Sequence, residues 1–285
     1  MLAGKSDGNP PGASLPGTWT RHDLSGHLPC ASKTFPVPRA TVPMQINLIN
    51  LDRSPERLAE FTRINGFLPQ IRRVQAVEGR SVDLPALVDA GVFAADIPWT
   101  PGAIGNALSH LKLWDEAIAT RKALTVCEDD AVFNRHFTTA ARSLLHALPA
   151  GWDYILWGWN FDVYTAFELV RGAGNCIAHL DQNTLAAGLG EYQKQRFAPQ
   201  PFRLIRAFGA PCYSISPKGA AALKQICLPF RASQIALPEV EGSVIARGWD
   251  VQLCQSFPML DAYLCFPPLV VTPNDPALST ILPLH

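Results

Sequence analysis

The sequence predicts an α/β fold in which helices cover a mixed sheet, and two observations carry the prediction. From Met44 onward, short apolar runs alternate with amphipathic stretches at helical spacing, the pattern of strands and helices taking turns. A chain of 285 residues, 48% of them hydrophobic, also has enough apolar surface to bury a large core as one domain. Residues 1–43 stand apart. Pro10, Pro11, Pro16, Pro29, Pro36, Pro38 and Pro43 are scattered among Gly and Ser with no sustained period. This stretch reads as a disordered leader, and residues 44–285 as the folded domain. Met44 immediately precedes the first strand-like run and is an alternative start for the natural chain.

Gln45 to Leu51 is the first predicted strand, carried by Ile46, Leu48, Ile49 and Leu51. Ser54 suits an N-cap and Pro55 the first helical position, where no backbone N–H is needed, so a helix should place Leu58, Phe61 and Ile64 on one face. Ile71 to Val77 supplies a second strand. Thr100 and Pro101 open the plainest helix, in which Ile104, Ala107, Leu108, Leu111, Trp114 and Ile118 form a buried stripe. Ala123 to Cys127 reads as a short buried strand running straight into Glu128-Asp129-Asp130. Tyr154 to Gly158 and Cys212 to Ser216 are further strands, while Phe161 to Ala198 reads as irregular. Pro217 opens a helix through Ala221, Leu223 and Ile226, and a last helix is expected over Trp249 to Gln255, before the apolar run from Tyr263 to Val271.

Lys plus Arg equal Asp plus Glu at 24 each, so there is no field of one sign to gather nucleic acid or anionic lipid from a distance. An anionic ligand has to be held by local groups. The seven cysteines include no Cys-x-x-Cys pair and read as small buried hydrophobes in a reducing compartment. No apolar run reaches the roughly 18 residues of a membrane span, and the N-terminus lacks the apolar core of a secretory signal, which makes the cytoplasm the expected location. Peripheral membrane association stays open, because a lipid-linked acceptor would bring the chain to a bilayer without a spanning helix.

The chemistry centres on Glu128-Asp129-Asp130. Like charges a few ångströms apart at a low-dielectric strand end cannot all stay ionised unaided. A divalent cation removes that difficulty. If extended geometry persists, alternate residues share a direction, so Glu128 and Asp130 grip Mn²⁺ or Mg²⁺ while Asp129 turns toward a sugar or ribose. The competing reading is that the acids cap a helix beginning near Phe133, where carboxylates favour the positive end of its dipole.

Asn47-Leu48-Ile49-Asn50-Leu51-Asp52-Arg53 with Arg57, then Gly102-Ala103-Ile104-Gly105-Asn106-Ala107-Leu108-Ser109-His110, then Glu128-Asp129-Asp130, resembles in order and spacing glycosyltransferase family 25. That family includes bacterial lipooligosaccharide galactosyltransferases and the collagen galactosyltransferases. The likeness runs from about Met44 to the C-terminus, is strong again at Tyr213 to Ala220, and is thin between Phe161 and Ala198. It implies a GT-A fold with a Rossmann-like nucleotide-binding half and inversion at the anomeric carbon. It also implies a UDP-sugar donor, most often UDP-galactose, with Mn²⁺, and a glycan or lipid-linked glycan acceptor. Two positions depart from the family pattern: Ala103 stands where Glu is usual and Asn106 where Cys is usual.

The resemblance assigns Asn50, Asp52, Arg53 and Arg57 to the donor site, at a strand end where open α/β sheets bind ligands and where an Arg can pair with phosphate. Arg57 taken alone reads as part of a salt-bridged helix start. Ser109, His110 and Asp129 join the donor site on the same likeness, although His110, at the flank of its helix's apolar stripe, also reads as a core histidine. Inverting transfer needs a base for the acceptor hydroxyl. Asp250 is the leading candidate, with Glu239 and Glu241 behind it, and the neighbouring Trp249 reads either as core or as a sugar-stacking ring. Two rival functions remain: a metal-dependent nucleotidyl or phosphoryl transferase, against which stands the absence of a Gly-x-x-x-x-Gly-Lys-Ser/Thr loop, and a non-catalytic nucleotide-sugar or glycan-binding protein, which Ala103 favours.

Overall fold

In a computed structural model, which describes residues 44–274, the predicted strands join into one mixed sheet. The leader expected over residues 1–43 lies outside the described residues. The first half of the domain runs β1 (Ile46–Asn50), α1 (Pro55–Asn65), β2 (Ile71–Gln75), α2 (Leu84–Asp89), α3 (Pro101–Thr120), β3 (Leu124–Glu128), β4 (Val132–Phe133) and α4 (Phe137–Ala147). Then follow β5 (Tyr154–Gly158), β6 (Tyr164–Val170), β7 (Gly174–His179), α5 (Gln182–Lys194), β8 (Gln200–Arg206), β9 (Cys212–Ile215) and α6 (Pro217–Cys227). The last elements are β10 (Gln234–Leu237), β11 (Gly242–Ile245), α7 (Trp249–Leu253), β12 (Ala262–Phe266) and β13 (Val270–Val271).

Nine strands lie in the order β2-β1-β3-β9-β5-β12-β8-β6-β7. β2, β1 and β3 are mutually parallel, and parallel neighbours need a crossover, which α1 and α3 supply. β9 runs antiparallel between β3 and β5, β12 is parallel to β5, and β8, β6 and β7 close the far side antiparallel. Strand period two divides the apolar residues between the sheet's faces. Val126, Leu156, Tyr213 and Leu264 join one core with α3, α6 and α7, whereas Cys127, Ile155, Cys212 and Cys265 join the other with Phe61 of α1 and Phe137 of α4.

Helix α3 forms as its sequence predicts: the Thr100 hydroxyl accepts from Ala103 N at 3.1 Å and Pro101 needs no N–H partner. Ser54 precedes α1 without a side-chain cap bond, and the Asn50 amide instead donates to its carbonyl at 3.2 Å. The span from Phe161 to Ala198 is not irregular but contains β6, β7 and α5. α5 has no buried residue and β7 is largely exposed, so neither carries an apolar stripe of the kind a sequence pattern registers. Phe133 lies in β4, and the following helix starts only at Phe137, so the acids cap no helix at Phe133. The last helix stops at Leu253 rather than at Gln255. No helix among the described residues is long and apolar enough to cross a membrane.

Candidate active site

β1 and β3 lie side by side and parallel, so their C-terminal residues Asn50 and Glu128 open onto the same cleft. Such a position at the carboxyl ends of strands is where open α/β sheets hold ligands. Beyond Glu128 the chain leaves the strand in a turn closed by Ala131 N donating to Glu128 O at 3.3 Å. Extended geometry therefore stops at Glu128, and the expected alternation does not apply. The turn nonetheless brings Glu128, Asp129 and Asp130 to the lining of one cleft, with Arg57 on one side and Asp250 on another.

The three acids have different surroundings. Asp129 accepts from Arg57 Nε at 2.8 Å and from Asn50 Nδ2 at 2.7 Å, and Arg57 Nη2 makes a further short bond to it. Burial pulls the Arg57 guanidinium down, but the hydrogen bond and charge of Asp129 outweigh it and leave its pKa raised. Asp130 has a buried Oδ1 with no partner, and Thr272 bonds its carboxyl. Burial first, then the Glu128 charge, pushes Asp130 up to about 7. Burial likewise lifts Glu128 to about 7, with the Asn106 hydrogen bond pulling the other way.

No three His, Cys, Asp or Glu side chains among the described residues converge to hold a metal ion unaided. Glu128 and Asp130, with the unpartnered Oδ1, are the carboxylates that would hold a hard divalent cation, which takes oxygen ligands.

Asp250, at the first turn of α7, accepts from Gly209 N at 3.2 Å through Oδ2. Burial, then the Glu128 charge, raises its pKa. Glu239 is instead held by Tyr164 at 2.9 Å and Arg206 at 2.8 Å, and neither it nor Glu241 lines the cleft. Asp52 also stands outside: it accepts from Arg73 and Gln75 and borders a neighbouring groove with Lys112. Arg53 reaches both spaces and pairs with Glu78 at 2.6 Å. The buried Ser109 hydroxyl donates to Gly105 O at 2.7 Å and accepts from Val77 N at 2.8 Å, tying the cleft wall to α3. His110 is fully buried beneath the cleft, and burial drives its pKa down to about 3. Trp249 is 2% exposed and stacked on His110 with ring centroids 4.1 Å apart, and it also borders the cleft.

The model of glycosyltransferase family 25 (LPS biosynthesis protein) matches residues 44–235, more than half of the chain. The chain belongs to glycosyltransferase family 25. A glycosyltransferase 25 family member from Aedes aegypti is 32% identical over 125 residues, covering 40% of this chain and 21% of that protein. The family 25 chain thus spans about a fifth of the length of that relative.

The match holds Asn50, Arg57 and the acid trio, whereas Asp250 lies beyond it. The family 25 cleft also contains Asn160 and Thr272, which the sequence did not single out, and Asn274. Asn160, Thr272 and Asn274 line the cleft from loops after β5 and β13. Gly209, at φ +73°, leaves room for Asn160, whose Oδ1 would stand 2.2 Å from an added Cβ. Gly209-Ala210-Pro211, a turn signal just before a strand, was the sequence mark of that wall.

Proposed function

We propose that this family 25 chain is an inverting, UDP-sugar-dependent glycosyltransferase that moves a hexose, galactose first among candidates, to a hydroxyl of a glycan or lipid-linked glycan. One observation carries the reading. Arg57 already balances Asp129, while Asp130 beside it keeps a buried oxygen without a partner next to Glu128, at the strand ends where α/β sheets hold nucleotides. Such an arrangement is unfavourable alone and is relieved by a cation brought with a diphosphate.

Glu128 and Asp130 would hold Mn²⁺ or Mg²⁺, and an ion there supplies positive charge to the departing diphosphate. Arg57 and Asn50 fix Asp129 so that its carboxylate keeps one orientation toward the donor. Asp250 takes the proton of the acceptor hydroxyl as that oxygen attacks, and its burial makes it a stronger base than an exposed aspartate. The Gly209 N–H holds one of its oxygens and so orients the other. The family description, LPS biosynthesis, supports a lipooligosaccharide or surface polysaccharide as acceptor and the inner face of the membrane as the place of work.

Incubating the full chain with a panel of UDP-sugars, with and without Mn²⁺, and measuring free UDP tests the reading. Release of UDP from UDP-galactose that a chelator abolishes is the expected result. Turnover indifferent to the chelator, or none with any UDP-sugar, rejects it.

A further inference from the structure

We infer that His110 and Asn106 are positioning residues that decide which oxygen of Glu128 faces the cleft. The inference rests on the proposed function only for what that oxygen then holds.

Two hydrogen-bond chains converge on Glu128 Oε1, and each begins at a tryptophan. An indole N–H donates and never accepts, so the group it meets must accept there and has its own hydrogens left to place elsewhere. In the first chain, Trp114 Nε1 donates to the Tyr213 hydroxyl at 3.0 Å. The buried hydroxyl has one hydrogen to place, and His110 Nδ1, 2.9 Å away, is the acceptor within reach; were Nδ1 protonated, that hydrogen would have no partner among the described residues. A neutral His110 that accepts at Nδ1 carries its proton on Nε2, which faces Glu128 Oε1 at 3.2 Å. In the second chain, Trp249 Nε1 donates to Asn106 Oδ1 at 2.7 Å. That contact turns the amide so that Nδ2 donates to the same Glu128 Oε1 at 3.2 Å.

Trp114, Tyr213 and His110 are fully buried, which shields the first chain from solvent, whereas the second passes through Asn106 at the cleft wall. Glu128 Oε1 is thereby occupied twice. Its side chain is 24% exposed, and Oε2 has no partner among the described residues, so Oε2 is the oxygen offered to the cleft. His110 does not line the cleft and acts through Glu128 rather than by touching the donor.

The network predicts a particular tautomer, readable in the wild-type chain. Two-bond ¹H–¹⁵N correlation of the histidine rings should show His110 protonated at Nε2 and bare at Nδ1. Protonation at Nδ1, or an imidazolium at neutral pH, overturns the inference.

Variants supply the second measurement. His110→Gln keeps an amide donor near the Nε2 position, His110→Asn does not, and Asn106→Leu removes the other donor. Mn²⁺ affinity read by electron paramagnetic resonance should fall roughly 10–100-fold in His110→Asn and Asn106→Leu, the usual cost of losing a group that orients a ligand. His110→Gln should recover most of that loss, with melting curves checking that each variant folds. Equal losses in His110→Gln and His110→Asn, or none in any variant, also overturn the inference. If the wild-type chain binds no Mn²⁺ at all, the cation reading of the function falls, and the tautomer alone decides the positioning role.

Discussion

Asp129 enters the cleft already balanced by Arg57 and Asn50, whereas Asp130, next in the chain, is left with an unpartnered buried oxygen. That division of labour makes separate predictions for separate side chains. Arg57 meets one carboxylate oxygen through two nitrogens, a fork that an ammonium cannot reproduce. Arg57→Lys should therefore weaken UDP binding by roughly 1–2 kcal/mol, about 5–30-fold by calorimetry, with the fold intact; unchanged affinity would remove Arg57 from the donor site. Asp250 makes a different kind of claim, since a base acts only in transfer. Asp250→Asn should lower transfer about 10²–10⁴-fold while leaving hydrolysis of the donor by water far less affected, and equal losses in the two assays would deny it the role. Residues such as these were legible because they sit in short contiguous motifs. Their partners were not: Asn106 meets Trp249 across 143 positions, and Thr272 meets Asp130 from beyond β13. Pairings of that kind exist only once the sheet order is known.

Elements were legible in proportion to how much apolar surface they bury in a regular pattern. β1 and β5 are buried at every position, and α3 carries a cap, a proline start and a long stripe, so each announced itself. β6 loses its burial toward its end, β7 is mostly exposed and α5 buries nothing, so their sequence carries hydrogen-bonding information that composition does not display. The same scale holds one feature that looks bland in the sequence and is not. Gly79 and Gly105 let the loop after β2 press backbone to backbone against the first turns of α3, and a Cβ on Gly105 would stand 2.4 Å from Val77 O and 2.8 Å from Gly79 N. Ser109 then closes that wall through Val77 N. Gly105→Ala should cost about 1–3 kcal/mol and shift the loop that borders the cleft. A thermal melt unchanged from wild type would show that the contact yields without cost.

For the whole molecule, the sheet gathers more carboxylates than Arg53 and Arg57 can balance at one end of its strands and covers both faces with apolar side chains, so the site is placed at the expense of the fold that builds it. The direction of the expense follows from linkage. Glu128 and Asp130 are raised from 4.5 and 3.8 to about 7 by burial first, so between those values the folded chain keeps protons that the unfolded chain releases. Their contribution is intact below the unfolded pKa values and is lost as pH rises through about 7. His110 acts in the opposite sense, because burial lowers it to about 3 and the unfolded ring takes up a proton below about 6.5. Comparison of variants at fixed pH cancels His110 and isolates the acids. Asp130→Asn should stabilise the cation-free protein at pH 7.5 by roughly 1 kcal/mol, about 2–4 °C in melting temperature for a domain of this size, and by much less at pH 5. Added Mn²⁺ should raise the wild-type melting temperature at pH 7.5 and leave Asp130→Asn almost unmoved, because an ion that binds only the folded chain stabilises it by mass action. A variant less stable than wild type at pH 7.5, or one that gains as much from Mn²⁺, would mean that the Asp130 carboxylate belongs to the fold rather than to a ligand.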